Sequence, residues 1–496
     1  MSDEVIPLSR FRALLARAGS PRRRYDELVS SDRAAALVPR LPALELFWLL
    51  REVGLRDATD LVALASPEQI QTFLDLDVWD REHLLLSATA AWIEVLCDAG
   101  VAHAAAVTAA LDIELPSLVL ARAARVYDLS LEEAAPEDSE HAMWPTPDGF
   151  YLIEWITDDP AEARTLERWL DSLYRADLEL GRRVVMGARW ELPTELEEMA
   201  ARWRNGRMAD LGFPDPIEAL EVYRFLDPAT VRPGEQTAAP MPLEPLTLPS
   251  PYVPPLEREG FLQQVLGSLP DEAELHRLEN ELALLFNRVL VADRVPPGDL
   301  AATQLAVSRA TDTLSLGLEL VAGSDLDQAV ITLRTVAFVR VFRAGFSLGL
   351  QLRRLVDTLL RRARLGPAPG SKAYLDGPYL ELVEGLMRPR PEWTRTLDEP
   401  AGQGFRALRS RDDIGRAARA VEELALLSTL LVERLRWTGP DAAPGFAEAL
   451  RGKLAELSVR VPERALDLLE RGVRERFPDV PPSLRGALER ALRSVY

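Results

Sequence analysis

The sequence predicts an all-α protein: a multi-domain stacked helical array or bundle with at most one short β-hairpin. Three observations carry this reading. Apolar residues recur at helical spacing in most of the chain, as in Leu46, Leu49, Leu50 and Val53, or Leu278, Leu282, Leu285 and Val289. A glycine-acid phrase that runs into such a pattern occurs twice, at Gly54-Leu55-Arg56-Asp57-Ala58-Thr59-Asp60-Leu61 and at Gly212-Phe213-Pro214-Asp215-Pro216-Ile217-Glu218-Ala219. The repetition argues for related helical units. Finally, 496 residues exceed what one hydrophobic core usually serves, so several domains are expected.

Residues 1–40 read as a basic, partly flexible segment, with Arg10, Arg12, Arg17 and the run Arg22-Arg23-Arg24 in an exposed tail. Residues 41–135 form a helical, repeat-like domain. Its first helix is apolar on more than one face, through Phe47 and Trp48, and is therefore buried. Ser66-Pro67-Glu68-Gln69 supplies an N-cap, a proline at the first helical position and a glutamine three residues after the cap. A further helix is expected from about Arg81 to Asp98, closed by Gly100. Residues 136–227 are helical with one short hairpin, signalled by Thr146-Pro147-Asp148-Gly149 before the β-branched and aromatic run Phe150 to Ile156. Nine prolines between Pro228 and Pro255 favour an extended, polyproline-like linker over 228–256. Residues 257–496 are a C-terminal helical domain. One long helical pattern runs from Leu326 to Leu360, and Pro440, Pro462 and Pro478 mark later joints.

Composition narrows function. With 58 Lys and Arg against 78 Asp and Glu the formal charge is −20, which disfavours nucleic-acid binding, since a phosphate backbone is held through excess Lys and Arg. The single Cys97 excludes an internal disulfide framework and a multi-cysteine metal site, and fits a reducing compartment. Met1-Ser2-Asp3-Glu4 lacks a basic n-region before an apolar core. The most apolar stretch, Val330 to Leu352, is broken by Arg334, Arg340 and Arg343, too many charges for a spanning helix. A cytoplasmic protein without a membrane span is expected.

Glu45 to Trp79, Asn205-Gly206-Arg207-Met208-Ala209-Asp210-Leu211-Gly212-Phe213, and Phe338 to Leu352 together resemble a family of uncharacterised helical bacterial proteins that carries only a domain-of-unknown-function label. The resemblance covers most of the chain and implies no activity. Over residues 57–94, the order Asp57-Ala58, Leu61, Leu64, Pro67-Glu68 also resembles the helical cytoplasmic N-terminal domain of bacterial magnesium transporters, an array of short helices that responds to magnesium. The membrane half of such a protein is not in this sequence, so transport is not implied.

Enzyme signatures fail on inspection. Gly345-Phe346-Ser347-Leu348-Gly349 matches a nucleophile elbow, but that fold needs a later histidine, and His83, His103, His141 and His276 all precede Ser347. The helical period also continues through the motif, so its glycines serve helix packing. Gly366 to Lys372 lacks the spacing of a phosphate loop, and no H-E-x-x-H pair exists.

Two clusters remain. Asp57, Asp60, Asp75, Asp77, Asp80 and Glu82 gather acids that suit a hard divalent cation. Asp57 and Asp60, like Asp215 and Glu218 in the second copy, fall at a helix cap and third helical position, which leaves Asp75 and Asp77 as the candidate metal ligands. The helix from about Arg334 to Arg364 reverses the sign of its surroundings: eight arginines face a single acid, Asp357. Arg340, Arg343, Arg353 and Arg354 are the candidate anion or partner contacts, because guanidinium groups engage phosphate and carboxylate bidentately. No cofactor is expected. The preferred reading is a non-enzymatic helical adaptor or regulatory protein with a protein partner; the alternative is a cation or anionic-ligand sensor, or an enzyme, with an acidic or arginine-lined pocket.

Overall fold

The computed structural model describes residues 20–428 apart from 132, 134–138, 238–247, 259, 269–271, 367, 369, 374, 376 and 399. Arg10, Arg12 and Arg17, the linker prolines 240, 242 and 245, and the joints after Pro440 lie outside the described residues. The described chain is mostly helical, and its strands are confined to three small antiparallel sheets. It divides into two compact units, one of Met1–Leu220, Leu243–Pro255 and Leu282–Val307, the other of Glu221–Pro242, Leu256–Glu281 and Ser308–Tyr496.

In the first unit α1 (Pro21–Val29) starts where the Ser20 side chain accepts from Arg23 N. The arginine run expected in an exposed tail is therefore helical: Arg22 and Arg23 pair with Asp26 and Glu27 one turn on, and Arg24 reaches Glu52 at 2.6 Å. Helix α2 (Ala43–Val53) ends at Gly54, whose φ of +106° is the left-handed backbone that glycine adopts without strain. The first copy of the repeated phrase then makes a 3₁₀ turn, Arg56–Ala58, and α3 (Thr59–Leu64). No side chain caps α3, so Asp57 is not the cap the spacing suggested, while Asp60 does lie in its first turn. Helix α4 (Pro67–Asp77) opens on the expected capping box: Gln69 N donates to Ser66 Oγ at 3.3 Å, and Ser66 N donates to Gln69 Oε1 at 2.9 Å.

The next helix starts later than its pattern implied. Residues 79–84 turn back as a hairpin of β1 (Trp79–Asp80) and β2 (His83–Leu84), with Arg81 at φ +59°. Leu84 N donates to Glu197 Oε1 at 3.0 Å, a partner far away in sequence. Helices α5 (Leu86–Ala99), α6 (Val101–Ala110) and α7 (Glu114–Ala123) bury Trp92, Val107 and Leu118. Among the described residues no single helix is long and apolar enough to cross a membrane. The bent pair α6 and α7 reaches that composition jointly, and much of it is buried in this core.

The expected hairpin forms from β4 (Met143–Pro145) and β5 (Tyr151–Trp155). Its turn is closed by Thr146 Oγ1 donating to Asp148 Oδ1 at 2.7 Å, with Gly149 at φ +74°. A third strand, β3 (Ala124–Asp128), pairs with the other edge of β5. It follows α7 directly with no glycine or proline between them, so the sequence carried no boundary signal. Helix α8 (Pro160–Ala176) leads to α9 (Leu178–Trp190) and α10 (Pro193–Asp210), both of which pack on α7. The second copy closes α10 at Gly212, φ +81°, and starts α11 (Pro216–Leu220) with Ile217 N donating to Asp215 Oδ1 at 2.8 Å, a cap as expected.

The proline-rich stretch is not an extended path where it is described. Pro228–Thr230 and Ser250–Tyr252 are 3₁₀ turns and Val253–Leu256 is helical, because proline is tolerated in a first turn whose N–H groups have no intrahelical acceptor. Tyr252 is fully buried, donates to Asn287 Oδ1 at 2.8 Å and meets Phe286 edge-on. Asn287 belongs to α12 (Glu272–Asp293).

In the second unit the single helix expected from Leu326 to Leu360 is two, α14 (Leu326–Thr335) and α15 (Phe338–Arg362), after α13 (Leu300–Ala322). Val336 and Ala337 are extended. The broken turn is stabilised from outside: Thr237 N donates to Thr335 O at 2.8 Å, Ala337 N to Thr237 Oγ1 at 3.2 Å, and Phe338 N to Glu281 Oε2 at 3.4 Å. Gly345 to Gly349 lies within α15, as its period required. A Cβ on Gly345 would run into Thr313 O, and one on Gly317 into Val341 O, so α13 and α15 cross with backbones in contact. Leu352, Val356, Leu382, Leu386, Trp393 and Leu424 build the core behind that crossing, with α16 (Gly377–Met387), the hairpin β6 (Glu392–Thr394) and β7 (Phe405–Ala407), and α17 (Arg411–Ser428).

Gly345→Ala is expected to lower the unfolding free energy by about 2–4 kcal/mol, because two backbones must move apart. Gly349→Ala meets only the side chains of Pro391 and Leu408, at 3.3 and 3.4 Å, and is expected to cost less. Urea unfolding of the two variants measures the difference, and equal midpoints would sink the packing account.

Candidate functional site

Asp75 and Asp77 close α4, and two residues along a helix they face different ways. Asp75 is buried beneath α10: Arg207 Nε and Nη2 hold its two oxygens at 2.6 and 3.0 Å, and Arg204 Nε donates to its backbone carbonyl at 2.7 Å. Arg207 also pairs with Asp112. Burial pushes the Asp75 carboxyl above its ordinary range despite that fork. Asp77 instead accepts from Arg51 Nη1 at 3.0 Å and from Trp92 Nε1 at 2.9 Å. The structure thus gives each carboxylate to its own arginine and does not bring the two together. Among the described residues no group of three or more His, Cys, Asp and Glu is gathered to hold a metal ion.

The arginines of α15 behave differently. Positions 343, 346, 350 and 354 recur at helical spacing, so Arg343, Phe346 and Arg354 share one face with Arg353 at its edge. The segment 221–227 lies across this face, fixed by Leu226 N donating to Ser347 Oγ at 2.9 Å. Arg343 donates to the carbonyls of Arg224 and Phe225 at 3.1 and 3.4 Å. Arg354 stacks over Phe225 at 4.6 Å, and Arg390 over Tyr223 at 4.5 Å. Tyr223 packs 4.8 Å from Phe346. Arg343, Arg353 and Arg354 have no ion-pair partner among the described residues. Arg340 stands apart, paired with Glu235 at 2.9 Å. Of the four expected contacts, three therefore meet on one aromatic-backed face without an ion pair among the described residues, with Glu221 of the overlying segment acting on Arg343 from beyond contact.

Several charged groups have no sequence signal. Glu154 of β5 is buried; Ser139 Oγ and Tyr127 OH donate to it at 2.6 Å each, and His141 Nδ1 lies 3.1 Å away. These hydrogen bonds, led by that from Ser139, hold its carboxyl at about 2, so it stays ionised. Alternation along β5 places Glu154 on one face of the sheet, but its partners come from elsewhere: Tyr127 from β3, and Ser139 and His141 from a loop. In the second unit Arg406 is buried between Asp398 and Asp413, with a guanidinium fork to each at 2.6–3.0 Å. Near it, burial pushes Asp312 up to about 6 against the pull of Arg409, Arg258 and Arg406. Cys97 is buried and its thiol is pushed up to about 11, too high for a thiolate nucleophile at neutral pH.

Arg207→Ala leaves Asp75 buried without its guanidinium and is expected to destabilise the protein by about 3–5 kcal/mol. Chemical unfolding reads this directly; a loss below about 1 kcal/mol would mean that the pair is not structural. Asp312 supplies a pH dependence. Its carboxyl is raised in the folded state, so it supports folding below about pH 4 and loses that support as the pH rises through about 6. Asp312→Asn is therefore expected to stabilise the protein near pH 8 by about 2 kcal/mol, with the gain shrinking toward pH 4. Melting curves across that range check the sign.

No curated protein and no solved structure matches the chain. The likeness of residues 57–94 to the magnesium-transporter domain is not supported by these comparisons. Residues 2–461 match the model of a family of unknown function, DUF6178, which spans nearly the whole chain. The chain belongs to that family.

Proposed function

We propose that the protein is a non-enzymatic adaptor or regulatory protein that binds an acidic segment of another protein through the α15 face bearing Arg343, Arg353 and Arg354. The observation that carries this reading is that none of the three has an ion-pair partner among the described residues, in a chain of net charge −20. Guanidinium groups laid on aromatic rings keep their outward N–H groups available for carboxylates, and the rings add apolar contact area. A second surface supports a protein-binding role. Trp190, Leu192, Met199 and Trp203, all on or between α9 and α10, are about half exposed, and apolar exposure of this kind marks contact sites. A cytoplasmic setting accords with the single, buried cysteine.

The test compares the full-length chain with Arg353→Glu/Arg354→Glu and with Arg40→Glu, an exposed control in the first unit. Each is immobilised in lysate of the source cells, and retained proteins are identified by mass spectrometry. A partner retained by wild type and the control, released by salt near 0.5 M and lost from the double variant is the expected result. Equal retention by all three would sink the proposal. If phosphate or nucleotides raise the melting temperature of wild type but not of the double variant, and no protein is retained, an anionic-ligand sensor replaces the adaptor.

A further inference from the structure

The middle of α13 carries a polar stripe, Ser308, Asp312, Ser315 and Glu319, at helical spacing on one face. Three of its four members are satisfied within the second unit. Ser308 Oγ lies 2.6 Å from Arg258 Nη1, Ser315 Oγ accepts from Leu262 N at 3.3 Å, and Glu319 Oε2 accepts from Arg411 N at 2.9 Å. The Asp312 side chain makes no hydrogen bond or ion pair with any described residue. It is half-buried nonetheless, with Arg258 held one helical turn away on Ser308, and with Glu319 of the same face bonded to Arg411 at the start of α17, a segment whose Arg406, Arg409 and Asp413 are within electrostatic reach of Asp312.

Charge balance says what would suit such a place. Arg406 is already neutralised by its forks to Asp398 and Asp413, and Asp413 Oδ2 also accepts from Arg409 N at 3.0 Å. The Arg409 side chain is exposed and has no ion-pair partner among the described residues. Three arginines thus stand with three aspartates, and one carboxylate, Asp312, and two guanidinium groups, Arg258 and Arg409, of that balanced set have no ion-pair partner among the described residues. A simple anion would be repelled by Asp312 and a simple cation by Arg258 and Arg409. A net-neutral molecule with separated charges satisfies both.

We propose that Asp312, Arg258 and Arg409 form a binding site for a small zwitterion of the α-amino-acid type, with its ammonium group on Asp312 and its carboxylate on the two guanidinium groups. The raised Asp312 carboxyl is consistent with this: a donor on the carboxylate supplies the hydrogen bond that the protein does not. Affinity then falls as the pH drops below about 6, where Asp312 is protonated. The site shares no residue with the α15 face, so either proposal can fail alone.

The test is a melting-temperature screen of the full chain against each of the twenty free amino acids at about 10 mM, with titration calorimetry on any that shift it. At least one amino acid is expected to stabilise wild type, and Asp312→Asn and Arg409→Gln are each expected to weaken that ligand about tenfold or more. Methylamine and acetate, each carrying one of the two charges, are expected to bind more weakly than the whole molecule. Arg409 is exposed, so its variant remains informative if Asp312→Asn alters stability. No shift by any amino acid overturns the proposal, as does binding that survives either substitution or is matched by acetate alone.

Discussion

A carboxylate taken out of water must be paired, and in this chain the partner is usually arginine. Asp75 with Arg207, Glu197 with Arg122, Asp148 with Arg182 and Arg406 with its two aspartates all obey that constraint. It governs both units. The pairs also fix geometry, because a guanidinium fork positions its carboxylate in a way an ammonium group does not. Asp75 ties α4 to α10, Glu197 ties α10 to both α7 and the β1–β2 hairpin, and Arg406 ties β7 to the start of α17.

The same constraint separates structural charge from charge with other uses. Where every hydrogen-bonding group of a buried ion is satisfied by the fold, little remains for a ligand, and Asp75 is such a case. Two places depart from it. On α15 Arg343 rests on backbone carbonyls and Arg354 on a ring, with no ion-pair partner among the described residues, and on α13 Asp312 has arginines around it but no bond to them. Neither departure follows from composition, since a net charge says nothing about which opposite charges meet.

Much of the helical architecture was legible because its signals are local. The Ser66 box, the glycines at 54, 100 and 212, and the turn from Thr146 to Gly149 all lie where the sequence places them, since each is settled by residues a few positions apart. The Gly345 to Gly349 motif was also legible as helix, because its period ran unbroken on both sides. Other features were hidden. The break at Val336 depends on Thr237 and Glu281, the hairpin at 79–84 on Glu197, and β3 on β5, so each needed a contact from far along the chain. Asp57 misled for the opposite reason: a local capping rule held at Asp215 but not at Asp57, where the acid itself lies in a 3₁₀ turn and Ala58 takes the cap position.

The candidate sites divide the same way. By itself the sequence determined the helical class, the presence of an arginine-rich helix in an acidic chain, and the absence of the spacings that common catalytic motifs need, because these follow from period, composition and short-range order. Only the tertiary structure decided that Asp75 and Asp77 go to separate arginines, that Arg340 leaves its neighbours to pair with Glu235, and that Asp312 stands unbonded among guanidinium groups. Pairing of charges is decided by where distant segments meet, and a carboxylate carries no mark of its partner until the chain has folded around it.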